Sequence, residues 1–239
     1  MDFKGNDEEK YDPRDYTVTI EEKKYSKTDV FIYKVIEWLI CLVLSVGVAL
    51  AIRYYIVTLR VVEQASMTPT LSTGQKLMLN RWHMTRNKDL PRGTIVTFYA
   101  PSIIYLREIT DLSHPVASYY KDENFSTWEK FKYYILETNR VSYVKRIIGI
   151  AGDHIEISNG KVYLNGKLLD EPYLAPNTQT IATGGLFTDV IVPDGYVFVM
   201  GDNRSKSTDS RYFGCIPVDK IEGTLFIRFW PPDVFGKVK

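Results

Sequence analysis

The chain has 239 residues, of which 45% are hydrophobic and 25% are charged, and its formal net charge is +1. This length accommodates one globular domain with a hydrophobic core plus a short appendage. The near-neutral charge argues against a nucleic-acid partner, and two cysteines with three scattered histidines match neither a disulfide framework nor a metal site.

A charged tail and a long apolar run open the chain. Residues 1–29 carry many charges and few apolar side chains, which predicts a tail without a hydrophobic core. From Trp38 to Ile52 there is no charge, but these 15 residues as a helix rise only about 22 Å, less than the roughly 30 Å hydrocarbon core. Apolar flanks extend the run, so we predict a transmembrane anchor over residues 30–57. The alternatives are a buried core helix or a cleavable signal peptide, although the latter would begin near Met1.

Basic residues near the two ends of this span predict its orientation. They are Lys23, Lys24, Lys27 and Lys34 before the span, and Arg53 and Arg60 after it. Because positively charged flanks are retained in the cytoplasm, we expect a single-pass protein of the cell membrane with a cytoplasmic amino terminus. Residues 58–239 then form an extracytoplasmic domain.

The remainder of the chain has the pattern of a β-protein. Short β-type runs, separated by glycine and proline, cover residues 60–62, 76–80, 94–99, 190–192, 196–200 and 223–229. Asn-Gly pairs at 159–160 and 165–166 predict tight hairpin turns. We predict a mainly β domain, antiparallel and barrel-like.

Residues 102–141 interrupt this pattern with a predicted inserted loop. Ser126 and Glu129 have the spacing of a capping box, and Trp128, Phe131 and Ile135 recur at helical spacing. These features predict a short amphipathic helix. Its apolar face packs on the domain or enters the membrane interface, and the sequence does not choose between them.

Ser66 begins the sequence Ser-Met-Thr-Pro-Thr-Leu, where a strand runs into a proline-constrained turn. A hydroxyl at such a turn can point into a cleft. Ser-x-x-Pro is also an ordinary turn or helix cap, so this segment alone does not establish a nucleophile.

Lys145 lies in a strand-like stretch of largely apolar residues. With an ordinary pKa of about 10.4, only about one lysine in 2500 is neutral at pH 7, which adds roughly 4.6 kcal/mol to a step that needs the free amine. Burial that lowers the pKa to about 8 reduces this addition to roughly 1.4 kcal/mol. We therefore predict a buried Lys145 that activates Ser66 as a base, with a solvated strand lysine as the alternative.

The segment 201–214 is a long polar loop that follows an apolar strand. Its dense carboxylates, guanidiniums and hydroxyls fit either a solvated turn or a cross-linked shell that holds a site rigid. Composition alone does not decide between these.

The three segments together resemble the type I signal peptidases, also called leader peptidases. The matching motifs are residues 66–71, residues 143–153 and the loop from Gly201 to Arg211, and the resemblance runs from the anchor to about Pro231. It implies the β-rich catalytic domain of that family. It also implies a serine endopeptidase that cuts signal peptides from exported preproteins, after small residues at the first and third positions before the bond.

The resemblance also implies roles for individual residues. Ser66 matches the nucleophile and Lys145 the general base. Ser207 matches the hydroxyl that orients the lysine, and the supporting ion-pair network comprises Asp209, Arg211 and Arg146. Two positions before the nucleophile the family usually has Ser or Gly, whereas this chain has Gln64, so the oxyanion is left to the Ser66 backbone N–H and the Gln64 side chain.

The expected substrate is an extended signal-peptide segment that docks as an added strand near Ala65, Met67 and Tyr143. No cofactor is required for this chemistry. The expected partners are preproteins and the lipid bilayer, and the expected oligomeric state is a monomer.

Three other classes of protein are open alternatives. A Ser-His-Asp hydrolase would recruit His154 or His83. A Ser/Lys self-cleaving regulator would carry a DNA-binding helix-turn-helix instead of an anchor. A catalytically inactive, membrane-anchored β-domain would act only as a binding module.

Overall fold

The computed structural model describes residues 26–82, 90–101, 115–117, 120, 125–138, 140–181 and 186–238. The chain divides into two units, Met1–Val46 and Gly47–Lys239. Helix α1 (Lys27–Tyr55) crosses this division and overlaps the predicted span of residues 30–57. None of its side chains is buried, and its 29 residues rise about 44 Å, so it is long and apolar enough to cross a membrane.

The strands, in chain order, are β1 (Val57–Val61), β2 (Lys76–Asn80), β3 (Ile95–Tyr99), β4 (Ser142–Ile150), β5 (His154–Ser158), β6 (Lys161–Leu164), β7 (Lys167–Leu168), β8 (Asp189–Ile191), β9 (Tyr196–Met200), β10 (Ile216–Pro217) and β11 (Ile221–Trp230). Seven of them form one sheet in the order β1-β2-β11-β3-β4-β9-β10. A second sheet has the order β7-β6-β5-β8. All pairings between these strands are antiparallel, which confirms the predicted mainly β class. Within the described strands, β1 and β10 remain edges of an open sheet and no closed ring of hydrogen bonds forms.

Both predicted Asn-Gly turns are confirmed in the second sheet. Asn159 and Gly160 join β5 to β6 with φ angles of 51° and 74°, and Asn165 and Gly166 join β6 to β7 with φ angles of 52° and 75°. Positive φ at both central residues gives the turn a twist that matches the twist of the flanking strands.

Strand β3 lies deep in the seven-stranded sheet, and all five of its residues are buried. Ile95 packs in one apolar cluster with Leu77, whereas Phe98 packs in another with Ile147 and Val199. The strand therefore contributes to two clusters, and its neighbour β4 is buried from Lys145 to Gly149.

Helix α2 (Thr127–Tyr134) confirms the predicted capping box, because the Ser126 and Glu129 side chains bond each other's backbone N–H groups. Of the two alternatives left open for the face with Trp128 and Phe131, the structure does not show packing on the domain, and entry into the membrane interface stays a prediction. Trp128 and Phe131 stack on each other and are 62% and 39% exposed, whereas Tyr133 is buried and packs against Tyr99. Packing on the domain therefore uses the opposite face, since aromatic tyrosine rings serve as core residues there.

Short helical segments complete the fold. Helix α3 spans Ser210–Phe213, and 3-10 turns span Ala65–Met67, Arg204–Lys206, Val218–Lys220 and Pro232–Val234. Both cysteines are free, with Cys41 exposed on α1 and Cys215 buried.

Candidate active site

Ser66 lies in the 3-10 turn that follows β1. Met67, the residue after Ser66, anchors the turn because it is fully buried in an apolar cluster with Leu71 and Leu77. Ser66 itself is 5% exposed. Ser66 is therefore held beside the hydrophobic core by the burial of its neighbour Met67.

Lys145 lies within β4, opposite Val96 of β3, and is 1% exposed. Its Nζ atom lies 2.8 Å from Ser66 Oγ and 3.2 Å from the carbonyl oxygen of Val144. The ring of Tyr143, two residues earlier on the same strand, lies with its centroid 5.3 Å from Nζ. The fold thus brings together two residues that are 79 positions apart in the chain.

Burial lowers the pKa of Lys145 from the ordinary 10.5 to about 8, because the ammonium ion loses its hydration inside the protein. The negative charge of Asp209 opposes this shift, and the guanidinium of Arg211 favours it. About one Lys145 amine in ten is therefore neutral at pH 7. That fraction makes a side chain that is normally an acid available as a base.

The polar loop after β9 packs against the backbone of the Ser66 turn. The Asn203 backbone N–H donates to the Ser66 carbonyl at 3.0 Å, and the Asn203 amide donates to the Ala65 carbonyl at 3.0 Å. A Cβ atom on Gly201 would lie 2.3 Å from Ser207 Oγ and 2.5 Å from the Ser66 carbonyl oxygen. Only glycine allows this close approach.

A cleft of about 350 Å³ opens beside the serine and the lysine. One wall is the stretch 59–64 along and after β1, and the other is 140–145 at the start of β4. Gln64, Met67 and Tyr143 line the cleft, and their expected contacts with the oxyanion and the substrate stay predictions. Ala65 was predicted to contact substrate, but it is not among the residues that line this cleft.

The comparison with known proteins decides the family. Residues 35–230 match the signal peptidase family, peptidase S26. The chain belongs to this family.

Named relatives within the signal peptidase family cover most of the chain. A probable signal peptidase I-2 of Synechocystis sp. is 33% identical over 80% of this chain and 71% of its own length. Signal peptidase I of Bacillus caldolyticus is 32% identical over 78% of this chain and 87% of its own length. A crystal structure of signal peptidase I from Enterococcus faecalis V583 is 26% identical and covers 58% of this chain and 97% of its own length, with a TM-score of 0.36.

In this member of the signal peptidase family, Asp202 joins the three motifs, a role that sequence reasoning missed. Its carboxylate accepts bidentate hydrogen bonds from Arg146 at 2.7 and 3.0 Å and one from the Thr70 hydroxyl at 2.5 Å. Arg146 follows Lys145, and Thr70 follows the Ser66 turn. Both partners lie inside the first two motifs. The opposite charges of Asp202 and Arg146 were the feature of the sequence that could have indicated this contact.

Asp209 and Arg211 form the second ion pair of the loop. Both are fully buried, with the Arg211 Nε atom 2.8 Å from Asp209 Oδ1. Asp209 also accepts the Gly201 backbone N–H at 3.0 Å, and Arg211 donates to the carbonyls of Arg204 and Ser207. The loop is therefore cross-linked rather than solvated, which resolves the alternative that composition left open.

Ser207 was expected to orient the lysine. Its hydroxyl is buried but makes no hydrogen bond within the described part of the chain, and the Lys145 amine instead bonds Ser66 and the Val144 carbonyl. A role for Ser207 toward Lys145 stays a prediction.

The histidines give no support to a Ser-His-Asp arrangement in the described residues. His154 is an exposed residue of β5 that bonds Asp189 of β8 at 2.6 Å, in the second sheet. The side-chain partner of the Ser66 hydroxyl in the described chain is Lys145. His83 lies outside the described residues.

Proposed function

We propose that the protein is a membrane-anchored serine endopeptidase that removes signal peptides from exported preproteins, with Ser66 as nucleophile and Lys145 as general base. The observation that carries this proposal is the 2.8 Å contact between Lys145 Nζ and Ser66 Oγ, made by an amine whose pKa is lowered to about 8. Membership of the signal peptidase family supplies the substrate class.

Catalysis begins with the neutral Lys145 amine, which takes the Ser66 proton as Oγ attacks the carbonyl carbon of the scissile bond. The Ser66 backbone N–H, with the Gln64 side chain in the cleft, stabilises the negative charge on the carbonyl oxygen. Protonated Lys145 then gives its proton to the departing amine as the C–N bond breaks. Lys145 then deprotonates a water that adds to the acyl-enzyme, and it returns this proton to Ser66 Oγ as the ester bond breaks and the signal peptide leaves with a free carboxyl terminus.

Substrate docking uses the two walls of the cleft. An extended peptide between the β1 wall and the β4 wall adds a strand by backbone hydrogen bonds. Met67 and Tyr143 line the cleft together with Ser66 and Lys145, and in this proposal their side chains limit the room for residues before the bond to small ones. Ser207, Asp209, Arg211 and Arg146 hold the loop and strand behind the dyad.

Helix α1 is the anchor in this proposal, with residues 1–29 as a cytoplasmic tail and residues 58–239 as the catalytic domain outside the membrane. The anchor keeps the cleft near the bilayer surface where signal peptides emerge, which raises the effective concentration of substrate. One chain contains both members of the dyad, so a monomer suffices.

The test is cleavage of a purified preprotein by the full chain in detergent. We expect Ser66→Ala and Lys145→Ala to lose activity by at least about 10³-fold, since each removes a reacting group. Lys161→Ala is the matched control, because Lys161 is an exposed strand lysine, and it should cleave as the wild type does. Equal activity in wild type, Ser66→Ala and Lys145→Ala would overturn the proposal.

A further inference from the structure

A buried ionic cluster closes one end of the cleft, and we call it the clamp: Arg60, Glu137, Arg140 and Glu222. Arg60 lies 2.6 Å from Glu137 and 3.2 Å from Glu222, and Arg140 lies 2.9 Å from Glu137 and 3.1 Å from Glu222. The side chains of Arg140 and Glu222 are 1% and 0% exposed. The four side chains therefore form a ring of ion pairs in which arginine and glutamate alternate.

The clamp joins parts of the chain that the sheet leaves apart. Arg60 belongs to the edge strand β1, and Arg140 lies just before β4, yet β2, β11 and β3 separate those strands in the hydrogen-bonded order. Arg60, Glu137 and Arg140 all line the cleft. Glu222 lies on β11 between them and also accepts a 2.6 Å hydrogen bond from Ser142. The two cleft walls are thus tied together directly at this end.

Arg60 offers nothing to a ligand, because its hydrogen-bonding capacity is used within the clamp and its own strand. An arginine carries five N–H groups. In this structure Nε donates to Glu222, one terminal nitrogen donates to Glu137 and the Leu59 carbonyl, and the other donates to both glutamates. The cluster therefore holds its surroundings in place instead of forming a binding subsite.

Glu137 is the more exposed of the two glutamates in the clamp, and it stays ionised. Burial would raise the pKa of Glu137, but hydrogen bonds from Arg60 and Arg53 outweigh burial and hold this pKa below its ordinary value. Glu137 accepts from Arg53 at 2.5 Å as well as from Arg60 and Arg140. One carboxylate from the inserted segment therefore connects the end of α1, the β1 wall and the β4 wall.

Among the residues that the structure describes, the clamp makes no hydrogen bond or ion pair with Ser66 or Lys145. Arg140 precedes Lys145 by five residues, so it lies at most roughly 16 Å away along an extended chain. A peptide strand added between two walls has neighbours about 4.8 Å away on each side, so the walls must stand roughly 9.6 Å apart. Because the clamp links the two walls directly, it can fix this separation.

We propose that the clamp sets the spacing of the cleft walls several residues away from the scissile bond, and that Glu137 is a positioning residue supplied by the inserted segment for docking long substrates. This inference rests on the proposed function and deepens it. Removing one carboxylate leaves buried guanidiniums uncompensated, so the walls shift where the distant part of the peptide lies.

The test compares Glu137→Gln with wild type on two peptides that share the residues around the bond. A short peptide has three residues on each side of the bond and spans about 10 Å per side, whereas a long one has eight and spans about 26 Å per side, enough to cover the distance of up to roughly 16 Å to the clamp. We expect kcat/KM on the long peptide to fall about tenfold through KM, while kcat/KM on the short peptide stays within about twofold. The pH profile on the short peptide should not change.

Glu129→Gln is the matched control, because Glu129 is an exposed carboxylate of the same inserted segment, and it should match wild type on both peptides. If thermal unfolding shows that Glu137→Gln is not folded, Glu137→Asp is the second variant: its side chain is one methylene shorter, which withdraws the carboxylate from Arg60 and Arg140, so it should show the same selective loss. An equal loss on both peptides, or no loss on either, would overturn the inference. Ser66→Ala separately tests the proposed function, since it should be inactive on both peptides.

Discussion

Burial of Lys145 lowers the stability of the fold, but it also provides the neutral amine that the proposed mechanism needs. Its pKa falls from the ordinary 10.5 to about 8 in the folded chain, so the unfolded chain binds the extra proton more tightly. The cost of burying this group is therefore present below pH 8 and is relieved as the pH rises toward 10.5.

The first prediction is that Lys145→Met is inactive but more stable. We expect the free energy of unfolding at pH 7 to rise by about 1–3 kcal/mol, because a pKa shift of one unit corresponds to about 1.4 kcal/mol and some hydrogen bonding is lost. Urea unfolding at pH 7 and at pH 10 measures this, and the gain should shrink at the higher pH. A destabilised variant at pH 7 would contradict the prediction.

The second prediction concerns the pH dependence of cleavage. In the proposed mechanism the neutral amine is the base, so kcat/KM should rise about tenfold per pH unit and level off above a pKa of about 8. Initial rates of preprotein cleavage from pH 6 to pH 9.5 give this profile. A plateau already reached by pH 7 would contradict a base with a pKa of about 8.

The third prediction is that Gly201→Ala reduces kcat by at least about 100-fold. The added methyl group would overlap Ser207 and the Ser66 carbonyl, so the turn that carries Ser66 must shift, and a displacement of about 1 Å is enough for such a loss. Gly47→Ala is the control, because nothing lies within 4 Å of its Cβ position. Steady-state cleavage kinetics of both variants decide it.

At the residue scale, the sequence indicates those candidate residues that are recognisable by residue type, and their catalytic roles stay predictions. Ser66 and Lys145 stand out because a serine at a proline-constrained turn and a lysine in an apolar strand are chemically conspicuous. Asp202 and Gly201 were missed as parts of the site because their importance comes from neighbours, Arg146 for the one and the Ser66 carbonyl for the other. Such contacts exist only after the chain has folded.

At the element scale, α2 shows how far helical periodicity can be used. Trp128 and Phe131 repeat at the spacing of a helical face, but Tyr133 occupies the buried side because the neighbouring Tyr99 provides an aromatic surface. Periodicity identifies a face and does not identify what covers it.

The fourth prediction follows from that packing. Tyr133→Ala should lower the free energy of unfolding by about 3 kcal/mol, because it removes a buried aromatic ring. Trp128→Ala, the matched control on the exposed side, should change it by less than about 1 kcal/mol. Chemical denaturation of both variants tests this. A larger loss from Trp128→Ala would show that the exposed stack, and not Tyr133, holds the helix.

Local and distant contacts at this scale differ in how well they could be predicted. The Asn-Gly turns were predicted correctly because both partners of each turn lie within a few residues. The clamp was missed because Arg60 meets Glu137 across 77 positions and Glu222 across 162. No periodicity connects residues so far apart.

At the scale of the whole molecule, the fifth prediction concerns topology. The basic residues before α1 predict that its amino terminus stays in the cytoplasm. Protease added to right-side-out membrane vesicles should therefore digest residues 58–239 and spare a tag on residues 1–29. Detergent should expose both parts. If the tag is lost and residues 58–239 are protected, the orientation is the opposite of the predicted one.

Strand β11, the last strand of the large sheet, lies between β2 and β3 instead of at an edge. It also supplies Glu222, which ties the two sides of the cleft. A growing polypeptide that has not yet delivered residues 221–230 has a gap in the middle of its sheet. We therefore expect the cleft to be incomplete until this late segment has been synthesised and inserted between β2 and β3.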